Sequence, residues 1–138
     1  MFLQNNFGKT VDMLHRSMDV TLLRRDVIAN NIANADTPNF KRSVVNFEAQ
    51  LKRAIESQTR DTIPAKMTDP LHIPFHRPMD YQSVKPRRVL DYLTTSKNNG
   101  NNVDLEEEMM SSLHNQLSYQ MMTQAVAAQF SQINMVLR

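Results

Sequence analysis

Residues 109–137 contain no Asp, Glu, Lys or Arg, and no Pro or Gly. Nothing in that run stops a helix, and no charge marks a solvent-facing side. Just upstream, Asp104 stands where a helix N-cap belongs, with Glu107 three residues on, a capping-box arrangement with Asp in place of Ser or Thr. Glu106, Glu107 and Glu108 place negative charge in the first turn, where the helix dipole favours it, and Arg138 has the favoured sign at the other end. The sequence predicts a helix over 105–137, about 50 Å long at 1.5 Å per residue. One seam follows Leu105, Met109, Ser112, Gln116, Tyr119, Met122, Val126, Phe130, Ile133 and Leu137; a second apolar row follows Met110, Leu113, Leu117, Met121 and Ala125. The rest is mainly Ser, Asn, Gln, Thr and Ala. Amides recurring every few residues argue against a bilayer span. Uncharged amides can pair across a protein contact without the desolvation cost of a buried charge. The surface therefore reads as a helix surrounded by other protein, with a wide core-facing stripe in an ordinary bundle as the alternative.

The amino-terminal part reads as a second long helix, over about 8–35. Phe7, Val11, Leu14, Met18, Leu22, Ala29 and Ile32 fall mostly three or four apart, a stripe interrupted at Arg25 and Asp26. It stops before Thr37 and Pro38, because a residue preceding proline disfavours the α conformation. Phe47, Leu51 and Ala54 or Ile55 predict a short helix near 46–57, with Asn46 as its cap. Pro64, Pro70, Pro74, Pro78 and Pro86 then punctuate the chain, so 59–103 reads as extended loop with short pairings around residues 88–93. The fold class expected is all-α, one domain over 1–138.

Little in the sequence suggests catalysis. There is no cysteine, hence no disulfide, thiol nucleophile or Cys-type zinc site. Asp69, His72, His76 and Asp80 recur at three or four residues, but Pro70, Pro74 and Pro78 among them preclude a shared helical metal face. His15 and Asp19 read as a surface pair, and His114 has no acidic partner in register. No phosphate-binding glycine loop or nucleophile elbow occurs. The expectation is no catalytic residue, no metal and no cofactor. The net charge of +2 is spread thinly, without the dense basic stripe of a nucleic-acid module; Lys85, Arg87 and Arg88 are the residues such a module would use. The first residues lack the basic start and apolar run of a secretory signal.

The most distinctive stretch is Asn30, Asn31, Ile32, Ala33, Asn34, Ala35, Asp36, Thr37, Pro38, Asn39, Phe40. Asn offers a donor and an acceptor, so it can satisfy backbone groups freed at a helix end. Asp36, Thr37 and Pro38 form a turn signal. Asn is a poor helix former, so this is a costly way to build only a helix terminus. The stretch resembles the amino-terminal signature of the flagellar axial proteins, Asn-Asn-Ile-Ala-Asn-x-x-Thr-Pro-Gly-Tyr/Phe, with Asn39 in the usual Gly position. Asn tolerates the left-handed conformation better than most residues, so the turn can survive. His72, Ile73 and Pro74, the run Asn101, Asn102, Val103, Asp104, Leu105, and the block from Tyr119 and Gln120 to Leu137 resemble the short proximal-rod members of the flagellar basal-body rod protein family.

That resemblance implies two terminal helices paired as an antiparallel coiled coil around a Pro-rich middle. It implies a structural, self-assembling subunit of the periplasmic rod, exported by the flagellar type III path without a cleaved signal. The partners it implies are other rod proteins, the rod-adaptor protein, the membrane-ring (MS-ring) protein and the export gate. The expected assembly residues are Asn31, Ile32, Ala33, Asn34, Thr37 and Pro38 at the turn, and Met109, Leu113, Leu117, Tyr119, Val126, Phe130, Ile133 and Leu137 on the last helix. A charge at Val126 or Phe130 is expected to block assembly more than expression. The competing reading is a soluble helical adaptor or export chaperone, which should form a small closed oligomer. A nucleic-acid binder should instead show salt-dependent affinity.

Overall fold

The computed structural model describes residues 5–59, 66–73 and 78–137. Pro64, Pro74, Phe75, His76 and Arg138 lie outside the described residues. In sequence order the elements are α1 (Asn6–Ala33), β1 (Ser43–Asn46), α2 (Glu48–Thr59), a single 3-10 turn at Tyr81–Ser83, β2 (Arg87–Leu90) and α3 (Leu105–Val136). The chain is mostly helical but not all-α, because β1 and β2 pair into a two-stranded sheet. The pairing foreseen near 88–93 falls one residue earlier, and its partner is the segment after the Asn-rich turn. Asn46 does not cap α2. It ends β1, and the Phe47 carbonyl takes the first helical amides, Gln50 and Leu51, at 3.0 Å each.

Two compact units divide the chain: residues 1–45 with 88–138, and residues 46–87. In the smaller unit Ala54 of α2, Tyr81 and Val84 are buried. The Met79 amide donates to Ser57 Oγ at 2.9 Å, and Gln58 Nε2 donates to the Met79 carbonyl at 3.2 Å, tying α2 to the segment before the 3-10 turn. The Asp80 carboxylate caps that turn by accepting from the Gln82 amide.

In the larger unit α1 and α3 run antiparallel. Phe7 meets Phe130 edge to face at 5.9 Å between ring centroids. Asn115 Nδ2 donates to the Thr21 carbonyl at 2.8 Å, and Asn31 reaches Glu108. On α1 the buried positions include Val11, Thr21, Ile28 and Asn31. Leu22 and Ala29, expected on the buried stripe, are exposed. Spacings that alternate three and four hold one helix face against an antiparallel neighbour, so the stripe after Val11, Leu14 and Met18 continues at Thr21 and Ile28. Reading apolar identity alone stepped off that face by one residue.

The same correction applies to α3. Its inward face is Glu108, Ser112, Asn115, Tyr119, Met122, Val126, Gln129 and Ile133, each at least partly covered. Five of these were on the expected seam. Met109 and Leu137, also on that seam, are 60% and 79% exposed. Of the second row, Met110, Leu113, Leu117 and Met121 lie on the outer side, and only Ala125 is partly covered. Toward its amino-terminal end, then, α3 turns polar groups to α1 and apolar groups to solvent.

Two left-handed residues bring the turn after α1 against the loop that leads into α3. Asn39 has φ of 58° and Gly100 has φ of 78°. The Asn39 amide donates to the Asn99 carbonyl at 3.0 Å, and a Cβ added at Gly100 would stand 2.6 Å from Asn39 Oδ1. The Asn-for-Gly replacement in the signature is therefore accommodated by the left-handed conformation itself. Gly100→Ala should lower stability by about 1–2 kcal/mol, read as a fall in denaturant midpoint at unchanged slope. A midpoint equal to wild type would show that the turn relaxes without strain.

Candidate functional site: a buried polar junction at the helix ends

The carboxyl-terminal end of α1 leaves carbonyls without intrahelical partners, as any helix end does. Here Asn101 collects them. Its Nδ2 donates to the carbonyls of Asn34 at 3.0 Å, Ala35 at 3.0 Å and Thr37 at 2.8 Å. Its Oδ1 accepts from the Val103 amide at 2.7 Å. Lys97 Nζ adds a bond to the Ala35 carbonyl at 2.8 Å and pairs with Asp36 at 3.1 Å. Asn102 works in the opposite direction. Its Oδ1 accepts from the Arg42 amide at 2.6 Å, and its Nδ2 donates to the Asp91 carbonyl at 2.7 Å. Both asparagines are fully covered, at 0% and 2% exposure. Each joins α3's leading segment to the far side of the turn, some sixty residues away in sequence.

Asn31 is the counterpart on α1. Its Oδ1 accepts from the Ser43 amide at 3.0 Å. Its Nδ2 donates to the Ser43 carbonyl at 2.9 Å and to Glu108 Oε1 at 3.2 Å. One amide thus pairs both backbone groups of a strand residue, as a neighbouring strand would, and also reaches α3. Glu108 is 1% exposed and lies 3.1 Å from Arg42 Nε, while Arg42 also pairs with the exposed Glu107 at 2.8 Å. The Glu107 side chain is thereby committed to Arg42. The capping box foreseen at Asp104 is realised in its forward half only, Asp104 Oδ1 accepting from the amides of Glu106 and Glu107.

Burial pushes the Glu108 carboxyl above the usual carboxylate range, aided by the neighbouring Glu107 charge; the Asn31 hydrogen bond and the Arg42 charge offset part of that rise. A raised value means that the folded protein holds this proton more tightly than the unfolded one. The stability from this group is complete below the unfolded carboxyl value, about 4.3, and is lost as pH climbs through the raised one.

Of the expected site residues at the turn, Asn31 lies in the junction and Asn34 contributes its carbonyl. Thr37 also contributes its carbonyl, although the residue is exposed. Ile32 is half-covered, and Ala33 and Pro38 are exposed on the rim. On α3, Tyr119, Val126 and Ile133 face α1, Phe130 touches Phe7, and Met109, Leu113, Leu117 and Leu137 face outward. A charge at Val126 or Phe130 would therefore strike the helix pair before any assembly. The sequence reading missed Arg42, Ser43, Asn101, Asn102, Glu108 and Asn115. Asn101 and Asn102 registered only as part of the family resemblance, with no contact assigned to them, and Glu108 only as a dipole charge. Lys85, Arg87 and Arg88 are exposed, with Arg88 donating to Asn30 Oδ1 at 3.4 Å. Among the described residues no cluster of His, Cys, Asp and Glu could hold a metal, and no helix is long and apolar enough to cross a membrane.

Removing Arg42 should leave Glu108 buried without its cation. Arg42→Ala is expected to cost about 3 kcal/mol at neutral pH, whereas Glu108→Gln should change stability by less than about 1 kcal/mol. Urea titrations from pH 4 to pH 8 should show wild type losing ground to Glu108→Gln as pH rises. A gap that moves the other way would mean that the carboxylate is favoured by its site.

The arrangement ties the end of α1, the start of β1 and the start of α3 together through paired backbone and side-chain groups. A family model described as "Flagella basal body rod protein" matches residues 21–41, the end of α1 and the turn that the junction holds. The flagellar basal body rod protein FlgB of Borreliella burgdorferi is 42% identical over 97% of this chain and 99% of its own length. That of Borrelia hermsii is 44% identical over the same shares. That of Bacillus subtilis is 32% identical over 95% of each sequence. The protein belongs to the FlgB family of flagellar basal body rod proteins.

Proposed function

We propose that this protein is a structural subunit of the flagellar basal-body rod, at the rod's proximal end, and not an enzyme. The near full-length similarity to the FlgB relatives carries the reading. The outer side of α3 supports it: Met109, Met110, Leu113, Leu117 and Met121 are 47–68% exposed with no charged residue among them. Apolar surface of that extent on an isolated subunit marks a contact with other protein. The inward positions of α3 alternate by four and three over Glu108, Ser112, Asn115, Tyr119, Met122, Val126, Gln129 and Ile133, which supports an antiparallel coiled coil with α1. In this reading residues 1–138 act as one rod-protein domain in the periplasm. Its partners are sibling rod proteins, the rod-adaptor protein, the MS-ring protein and the export gate, and it leaves the cell by type III export without a cleaved signal. In this reading Asn31 holds the end of α1 from within, the turn residues Ile32, Ala33, Asn34, Thr37 and Pro38 present it to neighbours, and α3 supplies the lateral contact.

Electron microscopy of basal bodies from a strain lacking the gene tests the proposal. Rods should be missing and swimming lost, both restored by the intact gene. Normal rods would favour the adaptor or chaperone reading. A second expectation separates assembly from folding. Leu113→Glu with Leu117→Glu should leave stability within about 1 kcal/mol of wild type, because both residues lie on the outer side of α3, 51% and 47% exposed. It should nevertheless fail to restore swimming. A swimming double variant would remove α3's outer face from the assembly.

A further inference from the structure

Asn99 is followed by Gly100, the only Asn-Gly pair in the sequence. We propose that Asn99 is a deamidation site gated by the fold, reactive while the protein is unfolded and shielded once the junction closes. In the reaction the Gly100 backbone nitrogen loses its proton to solvent base and attacks Asn99 Cγ. The new bond from that nitrogen to Cγ forms and the bond from Cγ to Nδ2 breaks, Nδ2 taking a proton from solvent so that ammonia leaves. Water then opens the resulting succinimide at either carbonyl, giving aspartate or isoaspartate. Glycine at the following position favours the attack, because no side chain crowds the nitrogen.

The folded state opposes each requirement of that step. The Gly100 amide donates its proton to the Lys97 carbonyl at 3.2 Å, which withholds the nucleophile. Asn99 Oδ1 accepts from the Asn101 amide at 3.1 Å, which fixes the amide that would be attacked. The Asn99 carbonyl is held by the Asn39 amide at 3.0 Å, and Gly100 is fixed at φ of 78°. On the other side of Gly100, its carbonyl accepts from Lys41 Nζ at 2.8 Å. Succinimide formation needs several of these bonds to open together, so in the native state it proceeds only through local unfolding. The product matters because of where it forms. Isoaspartate inserts an extra methylene into the backbone between residue 99 and Gly100, and the spacing that lets Asn101 reach α1 is lost. A molecule that lingers unfolded is thereby converted into one that cannot close its junction.

Purified full-length protein, incubated in parallel in native buffer and in urea at the same pH and temperature, tests this by peptide mapping with isoaspartate detection. Conversion at Asn99 should dominate in urea and run slower by about tenfold or more in native buffer. Asn101→Ala, which removes the three side-chain bonds from this loop to the turn after α1, should narrow that gap in native buffer while circular dichroism still reports the helices. Protein aged in urea and then diluted should refold in proportion to the fraction not converted to isoaspartate at residue 99. Equal rates in the two buffers, dominant conversion at another asparagine, or full refolding of the isoaspartate form would each overturn the proposal.

Discussion

Asn31 holds the structure at its most demanding point. Its amide is 1% exposed and uses both ends, taking the Ser43 backbone as a strand would and donating to Glu108 on α3. A buried amide with all its partners in place is stabilising, whereas one left unpaired costs about 1–3 kcal/mol. The fold therefore tolerates few alternatives here. If α3 slid along α1, Asn31 would lose Glu108, and Asn115 would lose the Thr21 carbonyl. Polar groups enforce the register of this helix pair more sharply than apolar packing could, since apolar side chains accept many neighbours.

This inverts the usual arrangement of a small helical protein. Near the junction α3 points Glu108, Ser112 and Asn115 inward and Met110, Leu113 and Leu117 outward. A monomer optimised alone would do the reverse. The inversion is coherent if the inner face fixes geometry and the outer face supplies association energy. The charge-free run over residues 109–137 fits that division, because a charge on the outer face would have to be stripped of water at every contact.

The helices were largely legible in the sequence, since long uninterrupted periodic runs leave little choice, and α3's start was fixed by Asp104 and the acidic first turn. Which face turns inward was not. The apolar rows at Met109, Leu113 and Leu117 were stronger signals than the polar residues beside them, and apolar identity alone does not reveal which row packs on α1. The Asn-rich signature was visible as unusual. Its role was hidden because Asn31's partners, Ser43 and Glu108, lie 12 and 77 residues away. The sheet was half visible: Val89 and Leu90 suggested a strand, but β1 is four residues long and follows a turn, too short for alternation to stand out.

The two ends of one molecule close on each other in a register set by the polar junction. The most direct test of that closure lies at the opposite end of the helix pair, where Phe7 meets Phe130. The protein has no cysteine, so Phe7→Cys with Phe130→Cys gives a clean reporter. Basal bodies carrying this variant, oxidised and then run under denaturing, non-reducing conditions, should show a fast-migrating monomer cross-linked within itself. Cross-linked dimers alone, or no disulfide at all, would contradict the pairing from which the whole account is built.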